Sequence, residues 1–396
     1  MESPYQKGRR LTLAVRGSGA CDRITAAITE LMPDPTMSVV MKVELQQEET
    51  RPMPRMAILK MYDRRLSPSL RRGYNPTYDD DAERAWREYV REGRAPALFS
   101  FMHEKLRRED EGGELVQTDS ETDPSSDEED KVPRTPAETF TKKGKREGII
   151  QWKALDLWHC ESRAYAKLAH LQGRCIPRLL AVVYHTVSST PPDLLSGKDN
   201  EYFVIGGLLV EYIEGFNLAD LGVQPSVPRE RWHGIIQRAV DAAHDINDSG
   251  VINCDCQPRN VMVDRKTLEP KHIDFAQCLF VEDMGWKEFE EVKYSLGNHR
   301  AIGSVMVTKL KKTVNFESPE IRYRQREWGW FGSALVRLRF LARTATERWR
   351  FGAGFGAGFG VLAWVLWRYV GVSALRGKIS FSRGLRGALG GGGGGI

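Results

Sequence analysis

The stretch 251–277, VINCDCQPRNVMVDRKTLEPKHIDFAQ, constrains this chain more than any other. Val251-Ile252 runs into a polar loop, Val261-Met262-Val263 has strand composition, 264–270 reads as a turn, and 271–275 has the pattern of a second short strand. A loop followed by a hairpin delivers three oxygen-bearing side chains, Asp255, Asn260 and Asp274, to one end of the hairpin. Asn260 and Asp274 offer the hard oxygen donors that magnesium on a nucleotide phosphate takes, and Asp255 can accept a proton.

Asp255, Asn260 five residues on, and Asp274 opening Asp-Phe-Ala resemble the catalytic loop and metal-binding motif of protein kinases, H-R-D-x-x-x-x-N and D-F-G. Asn253 stands where that family has His, Cys254 where it has Arg, and Ala276 where it has Gly. Gln257-Pro258-Arg259-Asn260 and Ile273-Asp274-Phe275 are similar to the divergent protein-kinase-like families common in fungi and, more distantly, to the antibiotic and choline phosphotransferases. The resemblance implies an α+β, protein-kinase-like bilobal fold, with an antiparallel N-lobe sheet, a reduced helical C-lobe and ATP with magnesium between them.

Other positions follow from the same resemblance, which extends over about 11–65 and 152–320. Residues 56–62 form a strand in which Ala57-Ile58-Leu59-Lys60 resembles V-A-I-K, making Lys60 the phosphate anchor. Residues 152–172 have helical periodicity, and Glu161 interrupts their apolar stripe of Leu157, Leu168 and Leu171. A lone buried carboxylate costs several kcal/mol, so Glu161 needs a cationic partner, and the kinase αC helix implies Lys60. Val210 to Gly215 resembles the hinge, with Val210 as gatekeeper and the Glu211 carbonyl and Ile213 amide facing adenine. Gly17-Ser18-Gly19 reads as a plain turn or a remnant of the Gly-rich loop, and Ser318-Pro319-Glu320 as the candidate A-P-E motif.

Composition supplies the organisation. A chain of 396 residues with 41% hydrophobic content can bury a large core. Residues 1–65 supply N-lobe strands (11–15, 38–45, 56–62), 66–150 a largely disordered acidic insert, 151–213 the rest of the N-lobe and the hinge, and 214–320 the C-lobe. Within the insert, 78–92 and 97–106 have helix-forming composition. Residues 109–131 are acidic and free of aromatics, too polar to bury a core. Residues 229–249 carry Trp232, Ile235, Ile236, Ala239, Val240 and Ala243 at helical spacing, with His244 as a packed core histidine. Residues 321–396 form a basic, Gly-rich tail with a candidate membrane segment at 351–372, uncharged from 351 to 367 and bracketed by Arg348, Arg350 and Arg368.

The net charge of +5 belongs to that tail: from Phe331 onward ten Lys or Arg face one acid, which leaves the first 330 residues at −4. The aromatics of the tail are not interleaved with a dense Arg cluster, so nucleic acid is not an expected partner. Six cysteines without framework spacing fit a reducing compartment, and no signal peptide is visible at the start. A cytoplasmic or nuclear location follows, with membrane attachment through the tail as the alternative. The expected function is ATP-dependent phosphoryl transfer to a hydroxyl acceptor, by a protein Ser/Thr kinase or a small-molecule phosphotransferase. A pseudokinase that binds nucleotide or a partner without turnover is the third reading. Asn253, shorter than His, predicts a weaker hold on the Asp-Phe segment.

Overall fold

The computed structural model describes residues 3–16, 23–33, 36–46, 53–75, 77–110, 135–186 and 201–324. β1 (Arg10–Val15), β2 (Arg23–Leu31), β3 (Val39–Leu45) and β4 (Met56–Tyr62) form an antiparallel meander, continued by β6 (Val204–Glu211) and β5 (Leu179–Thr186). β5 pairs back to β1 through Ala14↔Tyr184 and Val15↔Val183, which closes the sheet into a barrel. Alternate residues point inward, as the pleat dictates, so Leu13, Ala26, Ile28, Met41, Val43, Leu59 and Met61 fill its core. Closure also removes the exposed strand edges of an open sheet.

The sequence reading has a turn between the strands at 11–15 and 38–45, whereas the structure has β2 there. Thr25, Ala26 and Ala27 give this strand little apolar contrast, and only its register against β1 and β3 buries Ile24, Ala26 and Ile28. Gly17-Ser18-Gly19 lies outside the described residues. The start of β2 sits at the barrel end where Ala26 pairs with Leu45 and Glu44 with Met56, whereas Lys60 pairs with Val40 toward the other end. By this register the end of β2 and the start of β3 lie toward the Lys60 end. The connection between them is tied down: the Thr36 carbonyl accepts from the Ser69 amide at 3.2 Å and the Met37 carbonyl from Ser67 Oγ at 2.9 Å.

Much of 66–150 is helical: α1 (Pro68–Arg71), α2 (Asp80–Arg91), α3 (Ala95–Asp110) and the first half of α4 (Pro136–Lys167). The acidic run within 111–134 lies outside the described residues. The helix expected from residue 152 starts at Pro136, where Thr135 and Glu138 form a reciprocal capping box. Gly144 and Gly148 disguise this turn in the sequence, because both are poor helix formers. Packing requires them: a Cβ at Gly144 would stand 2.5 Å from the Ala85 carbonyl oxygen, and one at Gly148 2.6 Å from Trp86 and Leu98. Glu147, fully buried between them, pairs with Arg64 at 2.5 Å and Arg71 at 2.5 Å and accepts from Asn75 Nδ2 at 2.9 Å.

Beyond β7 (Gly215–Asn217), α5 (Arg229–Asp248) buries Trp232, Ile235, Ile236, Ala239 and Val240 against Val261 and Val263 of β9 (Val261–Asp264) and Met306 and Leu310 of α7 (Asn298–Val314). β9 and β10 (Pro270–His272) make the expected hairpin, with Val263↔Pro270 and Val261↔His272. β8 (Val251–Asn253) pairs with β11 (Cys278–Phe280), so Asn253 stands opposite Cys278. α6 (Val281–Leu296) follows, kinked at Gly285 with φ 78°. Ser318-Pro319-Glu320 lies in a helix-free segment after α7, with Ser318 Oγ 3.1 Å from His233 Nδ1. His244 packs against His299 with ring centroids 4.2 Å apart. The candidate membrane segment lies outside the described residues, and among the described residues no helix is long and apolar enough to cross a membrane.

His272 makes this region sensitive to acid. Its Nε2 lies 2.8 Å from the Ala239 carbonyl, which only accepts, so Nε2 carries the proton and Nδ1 faces the Cys256 thiol at 3.9 Å. Burial pushes the imidazole down from 6.5 to about 4. The folded state therefore keeps His272 neutral while the unfolded chain takes up a proton below pH 6.5. Its contribution is complete above that pH and is lost as the pH falls toward about 4, by roughly 3 kcal/mol. Urea midpoints followed from neutral pH to about pH 4 are expected to fall less steeply in His272→Gln, and equal slopes would contradict this assignment.

Candidate functional site

On β4, Ala57, Leu59 and Met61 enter the barrel core, which turns Lys60 and Tyr62 to the opposite face. α4 packs there and presents Glu161, 2% exposed. Lys60 Nζ lies 2.9 Å from Glu161 Oε2 and 2.6 Å from Asp274 Oδ1, joining residues 214 apart in the chain. Both oxygens of Glu161 are used: Oε1 accepts from the Phe275 amide at 3.0 Å, and Oε2 accepts from the Tyr62 hydroxyl as well as from Lys60. Burial, reinforced by Glu161, pushes the Tyr62 phenol well above its usual value, so it stays a donor.

The electrostatics follow from two carboxylates sharing one ammonium. Burial alone would lower the Lys60 pKa, but Asp274 and then Glu161 outweigh it and raise it. Burial alone would likewise raise the Asp274 carboxyl, yet the Lys60 charge holds it below the ordinary range. The cluster keeps a net negative charge, which suits a cation. Asp274 itself has φ 65°, the left-handed region that Asp and Asn tolerate best among side-chain-bearing residues. Phe275 anchors this turn, fully buried edge-on against Tyr165 with centroids 5.7 Å apart.

Asp274 is joined to the loop of Asp255 and Asn260 through Asn253. Asn253 Nδ2 donates to the Asp274 carbonyl at 3.0 Å, and its Oδ1 accepts from the Asp255 amide at 2.9 Å. Asn253, though shorter than His, reaches both groups because β8 brings its backbone beside β11. Asn260 Nδ2 donates to the Asp255 carbonyl at 2.8 Å and to Asp255 Oδ2 at 2.9 Å, while the Asn260 carbonyl accepts from Ile273 at 2.9 Å. With both amide hydrogens spent on Asp255, the Asn260 side-chain oxygen is the atom left for a cation.

Two residues at this site escaped the sequence reading. Arg259 Nη2 reaches both Asp255 oxygens, at 2.7 and 2.9 Å, and Gln257 Nε2 adds a contact at 3.0 Å. The spacing of Arg259 four residues after Asp255 was the available signal. Tyr62 was the other, two residues after Lys60 and hence on the same strand face.

The positions expected to form a hinge lie at the end of β6. The Glu211 carboxylate accepts from Lys271 Nζ at 3.2 Å and from the Arg178 amide at 3.0 Å, so its side chain is committed to the protein. Ile213 stands between β6 and β7 and belongs to neither ladder. Val210, two residues before Tyr212, pairs with Ile58 across from β4.

The donor set fits a magnesium–nucleotide site better than a metal cage made by protein alone. Asp274 brings one carboxylate and Asn260 one amide oxygen, and phosphates and water complete the shell of such an ion. Among the described residues no group of three His, Cys, Asp or Glu side chains converges to hold a metal.

No family model matches the sequence, and neither does any curated protein. Solved structures do. The chain is similar to a crystal structure of the Mycobacterium tuberculosis PknI kinase domain with one substitution, at 12% identity and a TM-score of 0.33, over 78% of this chain and 76% of that one. A doubly substituted form of the same domain gives 11% identity and a TM-score of 0.32, over 78% and 77%.

Proposed function

We propose that the chain is an ATP-dependent phosphotransferase of the protein-kinase-like superfamily, acting on a hydroxyl of the kind a Ser or Thr side chain offers. One observation carries this reading: Lys60 bridges Glu161 and Asp274, while Asn253 ties Asp274 to the loop of Asp255 and Asn260. In this reading Lys60 holds the phosphates, and Glu161 and Tyr62 hold Lys60. Asn260 and Asp274 hold magnesium, which supplies charge neutralisation at the phosphates. Asp255 orients the acceptor hydroxyl and takes its proton, and the Glu211 carbonyl and Ile213 amide face adenine. Positioning and fixed charge supply most of the rate in such a transfer.

The test is a thermal shift of the full chain with ATP, with and without magnesium. At a ligand concentration of about 100 Kd the expected stabilisation is roughly 2.7 kcal/mol, lost when magnesium is chelated. No shift in either condition would refute the reading. The Arg259 clamp on Asp255 favours a second reading, nucleotide binding without turnover, because Asp255 must exchange an existing partner for the acceptor proton. A coupled assay over protein and small hydroxyl acceptors separates the two: magnesium-dependent binding with no turnover on any acceptor supports the second.

A further inference from the structure

Beside the site, and used by none of its contacts to Lys60, lies a pair of thiols. Cys160 immediately precedes Glu161 on α4, and Cys278 opens β11 four residues after Asp274. Cys160 Sγ stands 3.3 Å from the Cys278 amide nitrogen, 3.6 Å from the Cys278 carbonyl and 3.7 Å from the Phe275 carbonyl. The Cys160 sulfur is thus seated against the backbone of Cys278 itself. Both cysteines are free and half-buried.

We infer that Cys160 and Cys278 form a reversible, peroxide-responsive disulfide that fastens the Glu161 turn of α4 to the strand leaving Asp274. In this scheme Cys160 supplies the attacking sulfur. Attack on hydrogen peroxide breaks the O–O bond, leaving a sulfenic acid on Cys160 and releasing hydroxide. The Cys278 sulfur then attacks the Cys160 sulfur, the S–S bond forms, and the sulfenic oxygen departs as water with the Cys278 proton. In sum, two thiols lose two electrons and two protons, and one peroxide becomes two waters. A dithiol reductant reverses the bond.

The consequence is mechanical. Glu161 holds Lys60 on one side and the Phe275 amide on the other. A covalent link one residue before Glu161 and three after Phe275 fixes this assembled arrangement. The link closes a long stretch of chain, which is where a cross-link restricts the unfolded state most.

The test needs no nucleotide, so it stands apart from the phosphotransfer reading. Full-length protein treated with hydrogen peroxide and digested with trypsin is expected to yield peptides 154–163 and 272–287 joined and lighter by two hydrogen atoms, separating again on dithiothreitol. Oxidation is expected to raise Tm by about 5–10 °C. Cys160→Ser and Cys278→Ser each abolish both effects, with Cys160→Ala available where a serine perturbs the packing. A bond to peptide 239–259, which holds Cys254 and Cys256, would overturn the pairing. So would sulfinic acid on Cys160 without a cross-link, and a cross-link that leaves Tm unchanged would overturn the fastening.

Discussion

Asp274→Asn is expected to lower phosphotransfer by about 10³-fold or more while leaving the fold intact. The carboxylate supplies the only formal negative charge among the proposed magnesium ligands, and preorganised charge of this kind is worth several kcal/mol at a transferring phosphoryl group. Asn is the informative replacement because position 274 has φ 65°, which Asn adopts with less strain than Ala. Asn also keeps an oxygen for Lys60, whose ammonium retains Glu161 at 2.9 Å. The measurement is initial rate together with the magnesium-dependent thermal shift. Wild-type turnover in this variant would remove Asp274 from the chemistry and with it the phosphotransferase reading.

Glu147→Ala carries the largest expected loss of stability, about 3–5 kcal/mol, or a fall in Tm of roughly 10 °C. The carboxylate is fully buried and neutralises Arg64 and Arg71 at once, so its removal leaves two guanidinium groups in the interior with Glu83 as the remaining carboxylate contact. Calorimetry and urea denaturation check this, with Glu147→Gln as the variant that keeps the shape. A loss below about 1 kcal/mol would mean that the cluster is hydrated in solution. The effect reaches the site because Tyr62 at the end of β4 and Arg64 just beyond it grip α4 at Glu161 and Glu147, some 21 Å apart at 1.5 Å per residue. Two such anchors fix the helix against both sliding and rotation.

The readability of this chain tracks the range of the interactions involved. The β9–β10 hairpin and the Asp255–Asn260 loop were legible because turn residues and strand composition act over a few positions. Lys60 and Glu161 were legible individually, one by its strand and the other as a carboxylate on an apolar stripe. β2 and the first turns of α4 were not, since Ala, Thr and Gly carry weak local preference and take their conformation from register and close packing. The insert reading of 66–150 caught the helical composition of 78–92, which is α2, but missed the start of α4, whose apolar face has value only against α2. Arg259 and Tyr62 looked like ordinary surface and strand residues, and their roles exist only where Asp255 and Glu161 face them.

By itself the sequence determined which chemical groups this protein owns and how the short elements carrying them are punctuated, because spacing and composition are local properties. The tertiary structure alone decided that the meander closes into a barrel, that Glu147 of α4 is locked to Arg64 and Arg71 by buried ion pairs, and that Lys60 meets an acid 214 residues away. Those outcomes depend on burial and on charges brought into contact by the fold, and neither exists until the chain has collapsed.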